Sequence, residues 1–165
     1  MSDRGSRTVL REATDAHFAW MLGETPSIDD LTLPPGGVGD NATLVLLQAS
    51  ARKFGACGRC LSWLIVSGNE VVGLCGFKEI PHEGIAEIGY GIAFARRNLG
   101  HASRAVREFM AEISDDPTIH TLVAETPVTN IASQLVLARN GFKLAGERAD
   151  AEDGELLLWR RPIRF

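Results

Sequence analysis

The segment Arg96-Arg97-Asn98-Leu99-Gly100-His101-Ala102-Ser103 has the residue types and spacing that suit an anion. It reads as the junction between a strand and a helix. The first four N–H groups of a helix lack internal partners, and the helix dipole adds about half a positive charge there. Such a terminus receives a phosphate or pyrophosphate. Gly100 permits close backbone approach, and Ala102 is too small to block it. Arg96, Arg97, Arg104 and Arg107 surround the loop, with no acidic residue between Arg96 and Arg107. The competing reading of the same spacing is a glycine turn beside a solvated arginine face.

A second group offers proton chemistry. By strand alternation Glu87 shares a face with Gly89, Gly91 and Ala93. A carboxylate beside a row of missing side chains leaves room for a ligand, and Glu87 is the first candidate for a general base. A strand-edge glutamate held in a salt bridge is the alternative. His82 and Glu83, in the preceding turn, are reserves. Asn130 suits a helix N-cap, and Ser133 lies one turn further along the same side. Cys57 and Cys60 form a C-x-x-C with no second pair, whereas a zinc site normally needs four ligands, so no metal is expected. Gly36-Gly37-Val38-Gly39 lacks the Gly-Lys-Ser/Thr ending of a nucleotide P-loop and reads as a flexible loop.

These residues need elements to position them. Thr8–Arg11 predicts a first strand, and Asp15 caps a short helix through Met21. A turn-rich stretch leads to a helix capped by Asp40 or Asn41 and running to about Phe54. Arg59–Val66 and Glu70–Glu79 predict strands joined by the turn Ser67-Gly68-Asn69. A third strand spans Ile85–Phe94, with Ile88, Tyr90, Ile92 and Phe94 on its core face. Ala102, Val106, Phe109, Met110 and Ile113 recur at helical spacing. A strand over Ile119–Ala124, a helix over Asn130–Asn140 and a pair of strands, Phe142–Glu147 and Leu156–Arg160, complete the order β-α-α-β-β-β-α-β-α-β-β. A mixed α/β sheet with helices on both faces follows.

Arg97-Asn98-Leu99-Gly100-His101-Ala102 resembles the R/Q-x-x-G-x-G/A acetyl-CoA signature of the GNAT superfamily of N-acetyltransferases. Asn130-Ile131-Ala132-Ser133, leading to Arg139-Asn140-Gly141-Phe142, resembles that family's N-x-x-S…G-F segment. Glu87-Ile88-Gly89-Tyr90 resembles the fourth strand of its ribosomal-protein N-acetyltransferase branch. The resemblance implies a GNAT-like, mostly antiparallel sheet and acetyl-CoA as co-substrate. Residues Arg97, Leu99, Gly100, His101, Ala102 and Ser103 would cradle the CoA pyrophosphate. Ile92 and Phe94, on a strand edge splayed from its neighbour, would bond the pantetheine, with Asn130 beside the thioester. Glu87 would be the base and Ser133 the proton donor to the departing thiolate. Many family members carry a tyrosine four residues beyond Ser133. Here that position is Leu137, and Tyr90 is the chain's one tyrosine. The acceptor implied is a protein N-terminus or a small amine, reached by direct transfer. Gly23–Asn41 would form one wall of its site, with Asp29, Asp30 and Asp40 drawing a cationic acceptor. An acyl-CoA-binding sensor without catalysis is the alternative on the same fold.

Length and composition agree. The 165 residues correspond to roughly one domain, residues 1–165. Three cysteines and no apolar segment approaching a membrane span point to a reduced, cytoplasmic protein. The polar stretch Met1–Arg7 does not resemble a signal peptide. A net charge of −4 disfavours a nucleic-acid partner. A monomer or homodimer is expected.

Overall fold

The computed structural model describes residues 7–163, so Met1–Ser6 of the polar leading stretch lie outside it. The chain builds β1 (Thr8–Glu12), α1 (Asp15–Met21), α2 (Asn41–Gly55), β2 (Ser62–Ser67), β3 (Glu70–Phe77) and β4 (Ile85–Ile92). It continues with a 3-10 turn (Phe94–Arg96), α3 (His101–Glu112), β5 (Thr121–Pro127), α4 (Ile131–Arg139), β6 (Lys143–Asp150) and β7 (Gly154–Pro162). This is the expected order, with several ends moved. Thr14, not Asp15, caps α1, exchanging a capping box with His17. Asp40 caps α2 by accepting from Thr43 N at 2.8 Å. β4 stops at Ile92, because the backbone turns at Ala93 into the 3-10 turn. Phe94, expected in the core, is 84% exposed.

One seven-stranded sheet runs β1-β2-β3-β4-β5-β7-β6. Each pairing is antiparallel except β4 with β5. Alternation along β2 shows how the sheet divides the core. Trp63 and Ile65 pack with Val106, Phe109 and Leu137 of α3 and α4. Leu64 and Val66 pack with Phe18, Trp20 and Leu44 of α1 and α2. On the α3 side, Trp63, Phe77 and Phe109 make edge-to-face contacts at 5.1–5.8 Å. No helix among the described residues is long and apolar enough to cross a membrane.

The parallel pair positions the site. β4 and β5 are in register only over Ile85–Glu87 and Thr121–Val123. Beyond Glu87, β4 keeps its bonds to β3 but none to β5, and the strands splay. The unpaired edge of β4 then runs toward the N-terminus of α3.

Candidate active site

Cross-strand register places Leu74 opposite Gly91 and Gly76 opposite Gly89, and Lys78 N donates to Glu87 O. These residues share the face that packs under α1 and α2. With three side chains missing, at Gly76, Gly89 and Gly91, they form a trench that ends at Lys78 and Glu87. A cavity of about 890 Å³ lies over this trench, within the range of small-molecule sites. Gly36–Asp40, then Leu46 and Leu47 of α2, wall one side. Ile92, Phe94 and Arg97 line the end nearest the anion loop. The glycines differ in cause. A Cβ on Gly76 would strike Leu61 O at 2.1 Å, so the backbone entering β2 requires glycine there. A Cβ on Gly91 would meet nothing within 4 Å, which leaves open space for a ligand.

Glu87 Oε1 is sealed from solvent and sits 2.7 Å from Lys78 Nζ. The carboxylate therefore reaches the cavity through its lysine, and the salt-bridged alternative describes this structure. Lys78 went unrecognised in the sequence. The available signal was register: a turn over 79–84 sets Lys78 opposite Glu87, an opposite-charge cross-strand pair. Across the splay on the same face, Glu125 binds Arg148 through two contacts of 2.7 Å. The Arg148 guanidinium holds the Glu125 carboxyl below its ordinary range, and Arg148 also pairs with Asp150 at 3.1 Å. Three carboxylates thus face two cations beside the splay. His82 and Glu83 lie outside the cavity lining, with side chains more than 80% exposed.

The anion loop has the expected geometry with a different use of its arginines. Gly100 takes φ +79° as the N-cap of α3 and has no side chain to cap it, so the first N–H groups of the helix stay open. Asn98 also has positive φ, at 63°. Arg104 Nη2 donates to Leu99 O at 2.7 Å and shapes the loop from beneath. Arg96 is bound to Glu70 at 2.6 Å, so its charge is already matched. Arg97 donates to Ile92 O at 3.2 Å and stacks 5.4 Å from the Phe94 ring; among the four arginines it alone lines the cavity. His101 turns away from the loop into the protein. Thr8 Oγ1 accepts from Arg104 Nε at 3.0 Å and faces His101 Nδ1 at 3.1 Å. Arg104 Nη2, which can only donate, also lies 3.4 Å from Nδ1, so Nδ1 is the accepting nitrogen and the ring proton sits on Nε2. Burial, then the Arg104 charge, push the His101 pKa down. Ala102 and Ser103 lie in the first turn, and Ser103 Oγ accepts from Asn140 Nδ2 at 3.3 Å.

At the start of α4, outside the cavity lining, Asn130 Oδ1 accepts from Ser133 N at 3.1 Å and caps the helix. Tyr90 OH donates to Ser133 O at 3.1 Å, which ties β4 to α4 across the splay. Burial pushes the Tyr90 phenol up to about 12. The front-loop aspartates are less free than expected. Asp29 pairs with Arg11 and His17, and the Asp40 carboxylate serves as the α2 cap. No group of three His, Cys, Asp or Glu among the described residues is placed to hold a metal.

A splayed parallel pair, a trench beside it and an open helix N-terminus beyond Arg97 suit an acyl-CoA-dependent transferase class. Residues 7–143 match the Acetyltransferase (GNAT) domain, and the chain belongs to that family of N-acetyltransferases. No curated protein sequence matches it significantly. A RimL ribosomal L7/L12 α-N-protein acetyltransferase in complex with coenzyme A superposes with TM-score 0.71 at 23% identity, covering 93% of this chain and 92% of that one. RimJ of Mycobacterium smegmatis, bound to a CoA disulfide, gives TM-score 0.70 at 21% identity over 93% and 80%. The microcin C7 self-immunity acetyltransferase MccE, with acetyl-CoA and AMP, gives 0.71 at 17% over 98% and 97%.

Proposed function

We propose that residues 1–165 form one acetyltransferase domain that passes the acetyl group of acetyl-CoA directly to a primary amine, at a protein N-terminus or on a small molecule. The observation that carries this is one cavity that joins the splayed β4 edge to a glycine trench ending at Lys78, the ion-pair partner of Glu87. The open N–H groups from Gly100 to Ser103 bind the CoA pyrophosphate, and Arg97 adds a charge. Ile92 and Phe94 flank the pantetheine, and Asn130 orients it from α4. Glu87 takes the proton of the acceptor amine. Ser133 returns a proton to the thiolate. No cysteine suits an acyl carrier: burial holds the Cys60 thiol at about 11 and the Cys75 thiol at about 12, and the exposed Cys57 lies outside the cavity lining.

The RimL likeness supports a protein N-terminus as acceptor, and the chain works in the cytoplasm on that reading. The MccE likeness supports a small molecule instead. A thiol-release assay with acetyl-CoA decides between them, using N-terminal peptides in one arm and amino acids, polyamines and aminoglycosides in the other. Turnover in either arm identifies the acceptor class. Acetyl-CoA binding without turnover in both arms would favour a sensor and overturn catalysis.

A further inference from the structure

We propose that Lys78 is itself an acetyl acceptor, and that its acetylation releases Glu87 for catalysis. The inference rests on the site just proposed. Of the chain's three lysines, Lys78 lines the acceptor cavity, whereas Lys53 and Lys143 do not. Lys53 lies over the Phe54 ring on α2, and Lys143 begins the edge strand β6. The Lys78 side chain is 49% exposed, and a long flexible stem lets its amine move. The stem rests on Gly89, whose absent Cβ would lie 3.4 Å from Lys78 Cγ. From there the trench runs past Gly91, where an added Cβ would meet nothing within 4 Å, toward the splay. The amine therefore has three things an acceptor needs: a place in the cavity, a carboxylate 2.7 Å away and open space at Gly91 on the side of the splay.

The step balances. The Lys78 ammonium gives one proton to the Glu87 carboxylate and becomes a neutral amine. Its nitrogen attacks the thioester carbonyl, the N–C bond forms and the C–S bond breaks. A second proton leaves the nitrogen for the departing sulfur, giving CoA thiol and an acetamide. Glu87 then passes its proton to water. Lys78 ends neutral and no longer holds Glu87. The face beside the splay, already richer in carboxylates than cations through Glu87, Glu125 and Asp150, loses one of its two positive charges. A cationic amine is drawn there more strongly, and Glu87 is free to deprotonate it.

The test incubates the full chain with acetyl-CoA and no added amine. Peptide mass spectrometry follows acetylation of Lys53, Lys78 and Lys143 over time at two protein concentrations. Lys78 is expected to react about a hundredfold faster than the other two, at a rate per molecule independent of concentration, and about a hundredfold slower in Glu87→Gln. Preincubation should raise turnover of an added amine in the native chain and not in Lys78→Arg, which keeps the ion pair. Lys78 modified no faster than Lys53 and Lys143, or undiminished in Glu87→Gln, overturns the inference. So does turnover of an added amine with Lys78 unmodified, which leaves the acetyl-transfer reading intact. Loss of acetyl-CoA binding itself would instead overturn that reading and this inference with it.

Discussion

Lys78 Nζ, one residue past β3, and Glu87 Oε1 on the antiparallel neighbour β4 lie 2.7 Å apart, at the point where β4 leaves β5. The pair closes the trench and sets the proposed base one side chain away from the acceptor. Removing the carboxylate while keeping its shape tests this role. Glu87→Gln should lower turnover at neutral pH by about a hundredfold. Acetyl-CoA affinity, measured by calorimetry, should stay unchanged, since the residues proposed to hold CoA lie further along β4 and in the anion loop. An unchanged rate would remove Glu87 as base.

Gly100 tests the anion loop. Its φ of +79° suits glycine, and a Cβ there would sit 2.7 Å from Arg104 Nη1. Gly100→Glu adds strain, bulk and a negative charge where the pyrophosphate is proposed to sit. Acetyl-CoA binding should be lost in calorimetry while circular dichroism shows the fold retained. Retained affinity would sink the loop assignment.

Much of this architecture was readable from local pattern. The order of elements, the hairpin at Gly68-Asn69 and the cap at Asn130 follow from periodicity and turn chemistry over a few residues. Contacts set by register were not readable. Arg96 looked like a free cation until β3 placed Glu70 2.6 Å from it. Asp29 looked free until Arg11 and His17 took it. Glu125 and Arg148 are 23 residues apart and meet only because β7 lies between β5 and β6. Phe94 continues the apolar alternation of β4, yet the backbone at Ala93 turns it into solvent.

Gly91 separates room for a ligand from a need of the fold. Nothing lies within 4 Å of the Cβ it lacks, and its φ is not in the positive range. Gly91→Val restores strand propensity, a gain of up to about 1 kcal/mol. Thermal stability should hold or rise. The KM for the acceptor amine should increase severalfold, because the side chain enters the trench. Unchanged acceptor kinetics would mean that the substrate does not use this space.

The buried His101 gives the fold a pH dependence. Its pKa is depressed by burial and by Arg104, so the folded state binds fewer protons than the unfolded state. Stability is then greatest above the ordinary histidine value of about 6.5, and is lost as pH falls toward the lower folded value. Melting temperature should drop between about pH 7 and pH 5. The drop should be smaller in His101→Gln, which does not titrate. Equal slopes in the two proteins would show that His101 is not the group responsible.

Tyr90 spans the gap that the sheet leaves open. Its hydroxyl donates to Ser133 O at 3.1 Å from a residue 43 positions earlier in the chain. With its pKa pushed up to about 12 by burial, the phenol keeps this proton throughout the assay range. Tyr90→Phe deletes the bond and leaves the ring in place, at a cost of about 1 kcal/mol. Urea denaturation should register that loss. Hydrogen exchange should rise in the first turn of α4 more than in α3, since the tie joins β4 to α4 alone. Exchange raised equally in both helices would mean that the tie does not anchor α4 in particular.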